Sequence, residues 1–194
     1  MLSVGATFAG AQDAKTPEAL ITQVSTDVLQ SVKADTSIKQ GDVQKVMALV
    51  DTKVMPYVDF ERMTASAVGR YWRQATPEQQ KNLQEQFKLL LVRTYSGALA
   101  QVQDQTVELK PSRNAPGDKE VVVRTEVKGR GDPVQLDYRL EQTAAGWKVY
   151  DINVLGVWLV ENYRNTFSQE ISNGGIDGLI AKLAARNKAA AART

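Results

Sequence analysis

The chain has 194 residues, with 24 Lys and Arg against 22 Asp and Glu, and a net charge of +2; so small an excess does not mark a nucleic-acid binder. A composition of 43% apolar and 24% charged residues suits an ordinary globular protein with one sizeable core. Cysteine and histidine are both absent, which excludes disulfides, thiolate nucleophiles, Cys or His zinc sites and histidine acid–base work, so any enzyme here would use Asp, Glu, Lys or Tyr.

In chain order, Leu2 to Phe8 is short and apolar, and Ala9-Gly10-Ala11 has the small-x-small form of a signal-peptidase site. Residues 1–15 therefore read as a signal-peptide remnant or as a disordered N-terminus. No run of about 18 apolar residues exists that would cross a membrane. Residues 16–188 read as a single domain and 189–194 as a tail. The cations Lys182, Arg186, Lys188 and Arg193 follow Asp177 with no acid among them, which suits a helix C-terminus.

Thr16-Pro17-Glu18 predicts a helix start, and Leu20, Val24, Val28 and Val32 give it one apolar stripe. Asp42 caps a second helix that ends at Pro56, and Asp59 caps a short third one closing at Gly69. Thr76-Pro77-Glu78-Gln79 is a capping box for the longest helix, whose period holds almost to Gln103. The second half alternates instead. Thr106 to Leu109 is a short strand candidate, and Val121, Val123, Thr125 and Val127 keep a period of two. Leu136, Tyr138 and Leu140 do the same, and Lys148 to Val154 completes an antiparallel meander of four strands. Val157 to about Ser172 reads as helix, with a break at Asn173-Gly174-Gly175 and a last helix over Ile176 to about Asn187. Helices first, sheet second and helices last is an α+β order, with helices packed on a curved sheet.

Few residues carry chemistry. Gly129-Arg130-Gly131 is a lone G-x-G at a hairpin and reads as a turn. Asp137, Tyr138, Tyr150 and Asp151 lie on adjacent strands. An enzyme with Asp137 or Asp151 as base on a cone-shaped scaffold is the alternative they allow; wall tyrosines and paired or solvated carboxylates are the plainer one. No carboxylate set has metal spacing. What stands out is apolar surface at element ends: Met55, Tyr57, Val58 and Phe60 around Pro56; Val68, Tyr71 and Trp72 at a helix terminus; Val154 to Val160 across a turn. Mouths between a sheet and its covering helices are where apolar ligands lodge. A plain docking module with exposed aromatics is the third option.

Four stretches carry a family resemblance. They are Val54-Met55-Pro56-Tyr57-Val58-Asp59-Phe60-Glu61-Arg62-Met63; Gly69-Arg70-Tyr71-Trp72-Arg73; Phe87-Lys88-Leu89-Leu90-Leu91 with Thr94-Tyr95; and Trp147-Lys148-Val149-Tyr150-Asp151 leading to the run from Gly156 to Phe167. Over about residues 17 to 185 the chain resembles the MlaC family, also called toluene-tolerance proteins, which are periplasmic phospholipid carriers of Gram-negative bacteria. The resemblance implies a periplasmic shuttle that maintains outer-membrane lipid asymmetry. It implies as partners an outer-membrane lipoprotein–porin complex and an inner-membrane ABC transporter complex with a membrane-anchored lipid-binding subunit. Phospholipid is then cargo rather than cofactor, no metal or catalytic residue is expected, and the carrier is a monomer.

The expected slot between the layers takes Val54, Met55, Val58, Phe60, Met63 and Val68 from the early helices, with Tyr71, Trp72, Phe87, Leu91 and Tyr95 after them. Leu136, Tyr138, Val149, Ile152 and Val154 supply the sheet side, and Val157, Leu159, Val160, Tyr163 and Phe167 the end of the turn and the last helix. Where the family commonly has a small polar residue after Gly-Val, this chain has Trp158. An indole there is expected to narrow the pocket or reshape its mouth.

Overall fold

Polar caps set the helical half of the computed structural model, which describes residues 16–192; residues 1–15, with the signal-like stretch, lie outside the described residues. Thr16 accepts a hydrogen bond from the Ala19 N–H and Pro17 takes the first helical position, opening α1 (Pro17–Ala34). Asp35 caps a single turn, α2 (Thr36–Lys39), and Asp42 accepts from the Gln44 and Lys45 N–H groups to open α3 (Val43–Leu49). Asp59 accepts from the Arg62 N–H to open α4 (Phe60–Val68), which Gly69 ends at φ 67°. Thr76 and Gln79 form the expected capping box of α5 (Pro77–Ala100).

The second helix does not run unbroken to Pro56. Regular α geometry stops at Leu49, and a π turn over Val50–Val54 and a 3₁₀ turn over Met55–Tyr57 carry the chain to α4. A proline has no N–H to donate and its ring crowds the preceding turn, so a continuing α-helix is closed to it.

The expected four-stranded sheet has a fifth strand. In order stand β1 (Thr106–Leu109), β2 (Glu120–Lys128), β3 (Val134–Thr143), β4 (Gly146–Val154) and β5 (Val157–Trp158), each antiparallel to its neighbour. Leu155 at φ 52° and Gly156 at φ 90° reverse the chain, so Val157 and Trp158 pair with Val154 and Asn153 instead of starting a helix. The helix begins only with α6 (Leu159–Ala191), broken at Gly175 (φ 70°, ψ −175°) where the sequence predicts a break.

Strand pairing assigns side chains to faces, because opposed residues share a face and successive ones alternate. Val123, Tyr138 and Ile152 share one face with Leu136 and Val154; Arg124, Asp137, Asn153 and Trp158 share the other with Arg139 and Asp151. α1 packs on the first face, where Leu20 and Ile21 meet Val121, Val123, Leu140 and Val149. α4 and α6 pack along β4, with α5 packed on them, and the Asp59 N–H donates to the Val149 carbonyl at 2.8 Å. A bulge between Arg139 and Leu140 leaves Tyr150 unpaired, under the guanidinium of Arg62 from α4 at 3.7 Å. Arg62 also pairs with Glu120 and Glu141, fixing α4 to the sheet.

Candidate functional site

Phe87 of α5 centres the largest apolar cluster and is wholly buried. Its ring lies 5.7 Å from Phe60, 5.0 Å from Tyr163 and 5.1 Å from Phe167, the last two edge-on. The period of α6 explains the arrangement: Val160, Tyr163, Phe167 and Ile171 face inward at steps of three and four. Beyond the Gly175 break, Leu179 and Leu183 extend the same cluster.

Most residues expected to line a slot meet here. Phe60, Met63, Val68, Phe87, Leu159, Val160, Tyr163 and Phe167 are buried in the cluster. Met55, Val58, Tyr71, Trp72, Leu91, Tyr95, Ile152 and Val154 form a half-buried apolar rim against it. Val149 and Tyr138 pack instead with α1, and Ile152 touches both groups. Tyr138 bonds Ser25 and Thr125, and burial pushes its phenol pKa up against those bonds; burial likewise raises that of Tyr95. Val54 and Leu136 are half-buried outside these clusters. Val157 is 49% exposed at the hairpin, although its pairing with Val154 puts it on the apolar face.

The opposite face is saturated with polar bonds. Asp151, 1% exposed, accepts from Arg139 at 3.0 Å through one oxygen and from the Ile152 and Val160 N–H groups at 2.9 and 3.1 Å through the other. Its carboxylate thereby caps the first turn of α6 from a neighbouring strand. Burial nevertheless holds its pKa above the ordinary range, against the pull of those bonds. Asp137 accepts from Gln135 at 2.8 Å, and its second oxygen has no hydrogen-bond partner among the described residues. Trp158 belongs to this face. Its ring lies 3.9 Å under the Arg139 guanidinium and pairs across from Asn153, so it covers the polar network on the face away from the apolar cluster.

These contacts do not support the enzyme alternative. Asp151 has both oxygens engaged, and both carboxylates stand on the face away from the apolar cluster. Among the described residues no cluster of three or more carboxylates is placed to hold a metal ion, and no helix is long and apolar enough to cross a membrane.

Sequence periodicity missed one feature. A cleft of about 530 Å³ lies between the end of α4 and α6, lined by Gly69, Arg70, Tyr71, Arg164, Ser168, Gln169 and Ser172. Arg70 donates to the Tyr71 hydroxyl at 2.9 Å, which lies 3.2 Å from the Ser172 hydroxyl. Arg164 donates through Nε to the Ser66 carbonyl at 2.9 Å. The bonds to Ser172 and Arg70 lower the Tyr71 phenol pKa. The only signal in the sequence is the +4 spacing of Arg164, Ser168 and Ser172, beside the inward stripe.

The model of the family described as MlaC protein matches residues 22–185. The toluene tolerance protein ttg2D of Pseudomonas putida is 26% identical over 184 residues, spanning 91% of this chain and 86% of that one. The intermembrane phospholipid transport system binding protein MlaC of Haemophilus influenzae is 23% identical over 171 residues, spanning 86% of this chain and 80% of its own. Among solved structures, a phospholipid-binding protein from Ralstonia solanacearum, in complex with a phospholipid, is 50% identical. It superposes with a TM-score of 0.88 over 92% of this chain and 99% of that one. With the family model spanning most of its length, and with the same fold in a relative half identical to it, this chain is a member of the MlaC family.

Proposed function

We propose that this chain is a phospholipid-binding transport protein that holds acyl chains between the α4–α6 layer and the apolar face of β3 and β4. The observation that carries this is the half-buried rim around the Phe87 cluster, apolar from Met55 through Leu91 to Val154. The phospholipid complex of the Ralstonia relative supports the same class of cargo.

Acyl chains need dryness, not a fixed chemical group. Their burial from water gains about 0.8 kcal/mol per CH₂, which over two long chains would exceed the practical ceiling for non-covalent binding. The bilayer is the relevant reference, and there the chains are already dry. Exchange between membrane and slot is then near neutral, so partners set its direction. The finer reading follows the family: a monomeric periplasmic shuttle without catalysis, exchanging phospholipid with an outer-membrane lipoprotein–porin complex and an inner-membrane ABC transporter complex. The phospholipid carried is its only ligand, and outer-membrane asymmetry is what it maintains.

Organic extraction of the protein purified from bacterial cells, followed by mass spectrometry, should release stoichiometric phospholipid. A wild-type protein that is empty and takes up none from vesicles would end the carrier reading. Leu91→Asp puts an unpaired carboxylate on the half-buried rim; it should abolish lipid co-purification while leaving the circular dichroism spectrum intact. Lipid retained at the wild-type level would remove Leu91 from the lining.

A further inference from the structure

Arg70 and Arg164 are the cations of the cleft, and no acidic side chain lines it. Neither is in an ion pair among the described residues, although Arg62, Arg130 and Arg139 all are. Hydroxyls of Tyr71, Ser168 and Ser172 complete a lining rich in donors. The cleft also borders the apolar cluster. Tyr71 lines the one and packs on the other, while on α6 the stripe Arg164, Ser168, Ser172 runs beside the buried stripe Tyr163, Phe167, Ile171.

We propose that this cleft seats the phosphodiester of the carried lipid, with Arg70 and Arg164 as its guanidinium partners; this rests on the carrier function proposed above. A guanidinium suits a phosphate oxygen pair, because its N–H groups form a planar fork. The contact reads the phosphate common to phospholipids and ignores what lies beyond it. Selectivity among headgroups is therefore weak, while a lipid lacking phosphate is disfavoured. Both arginines are exposed, so salt weakens the preference.

The test offers delipidated protein two lipids with identical acyl chains, dioleoyl phosphatidylglycerol and dioleoylglycerol, each from non-ionic detergent micelles. Wild type should retain the phosphatidyl lipid about tenfold better, the effect of about 1.4 kcal/mol. Arg70→Gln with Arg164→Gln should remove that preference and leave dioleoylglycerol retention unchanged. Because Arg164 also ties α6 to the Ser66 carbonyl, Arg70→Gln alone, whose side chain bonds Tyr71 and no other described residue, should shift the preference the same way if the double variant unfolds. Equal retention of both lipids by wild type, or an undiminished preference in the folded variants, overturns the proposal. Retention of neither lipid sinks the carrier function itself. Inorganic phosphate that binds the cleft while both lipids are retained alike would assign it to a free anion, which also overturns the lipid assignment.

Discussion

On one face of β3 and β4 stand Tyr138, Ile152 and Val154; one residue along, on the other, stand Asp137, Arg139, Asp151 and Asn153. The first set is half-buried and depends on contact area, which is non-directional and tolerates rearrangement. In the second, Asp151 is committed to a strand, a guanidinium and a helix terminus at once. Directional bonds fix where α6 starts, while apolar contact leaves the face proposed to hold lipid adaptable. A carrier needs both, and the sheet keeps them apart by its period of two.

The largest effect should come from breaking the polar face. Asp151→Ala leaves the Val160 N–H and Arg139 without their partner and should cost about 2–3 kcal/mol in denaturant unfolding, less than a fully buried pair because Arg139 reaches solvent. Lipid bound per folded molecule should not change; a loss of lipid at intact fold would merge the two faces into one function. A pH series sharpens the point. Burial raises the Asp151 pKa above its ordinary 3.8, so the folded chain takes up this proton at a higher pH than the unfolded chain. Stability relative to Asp151→Asn should therefore rise as pH falls through the raised value and level off below about 3.8. A relative stability that falls over that window would mean the bonds to Arg139 and the two N–H groups outweigh burial.

Trp158→Ser should cost about 0.5–1 kcal/mol, the loss of a partly exposed cation–π contact, with acyl-length preference unchanged by mass spectrometry. A shift toward longer chains would return Trp158 to the slot. Smallest is Leu155→Gly. Its residue sits at φ 52° and is 65% exposed, so the substitution removes left-handed strain of about 1 kcal/mol that the glycine's larger loss of chain freedom on folding mostly offsets, and the melting temperature should rise only slightly. A drop would show that the leucine side chain contributes more than its backbone strain costs.

Local rules were legible wherever one residue decides an element. Asp42, Asp59 and Thr76 cap the helices expected of them, Gly69 ends one, and the break near Gly175 is where the glycines put it. β5 was not legible, because a two-residue strand has no periodicity and exists only through its pairing with β4. α2 is a single turn, and the π turn before Pro56 leaves no mark in hydropathy. For the site, apolar crowding at element ends pointed to the rim around Phe87. The face on which Trp158 falls depends on its register against Asn153, and the Arg70–Arg164 cleft on two helices meeting, so neither is written in any one segment.

The break at Gly175 bears on how the chain assembles. One apolar cluster, from Val32 to Val102, draws only on residues that precede the sheet, whereas the Phe87 cluster needs α6 on both sides of the break, as far as Leu183. Its aromatic centre cannot close before Tyr163 and Phe167 have come back to Phe60 and Phe87. Closure over so long a sequence separation is slow compared with forming local helices. The layer proposed to hold lipid therefore closes later than the cluster built from the N-terminal helices.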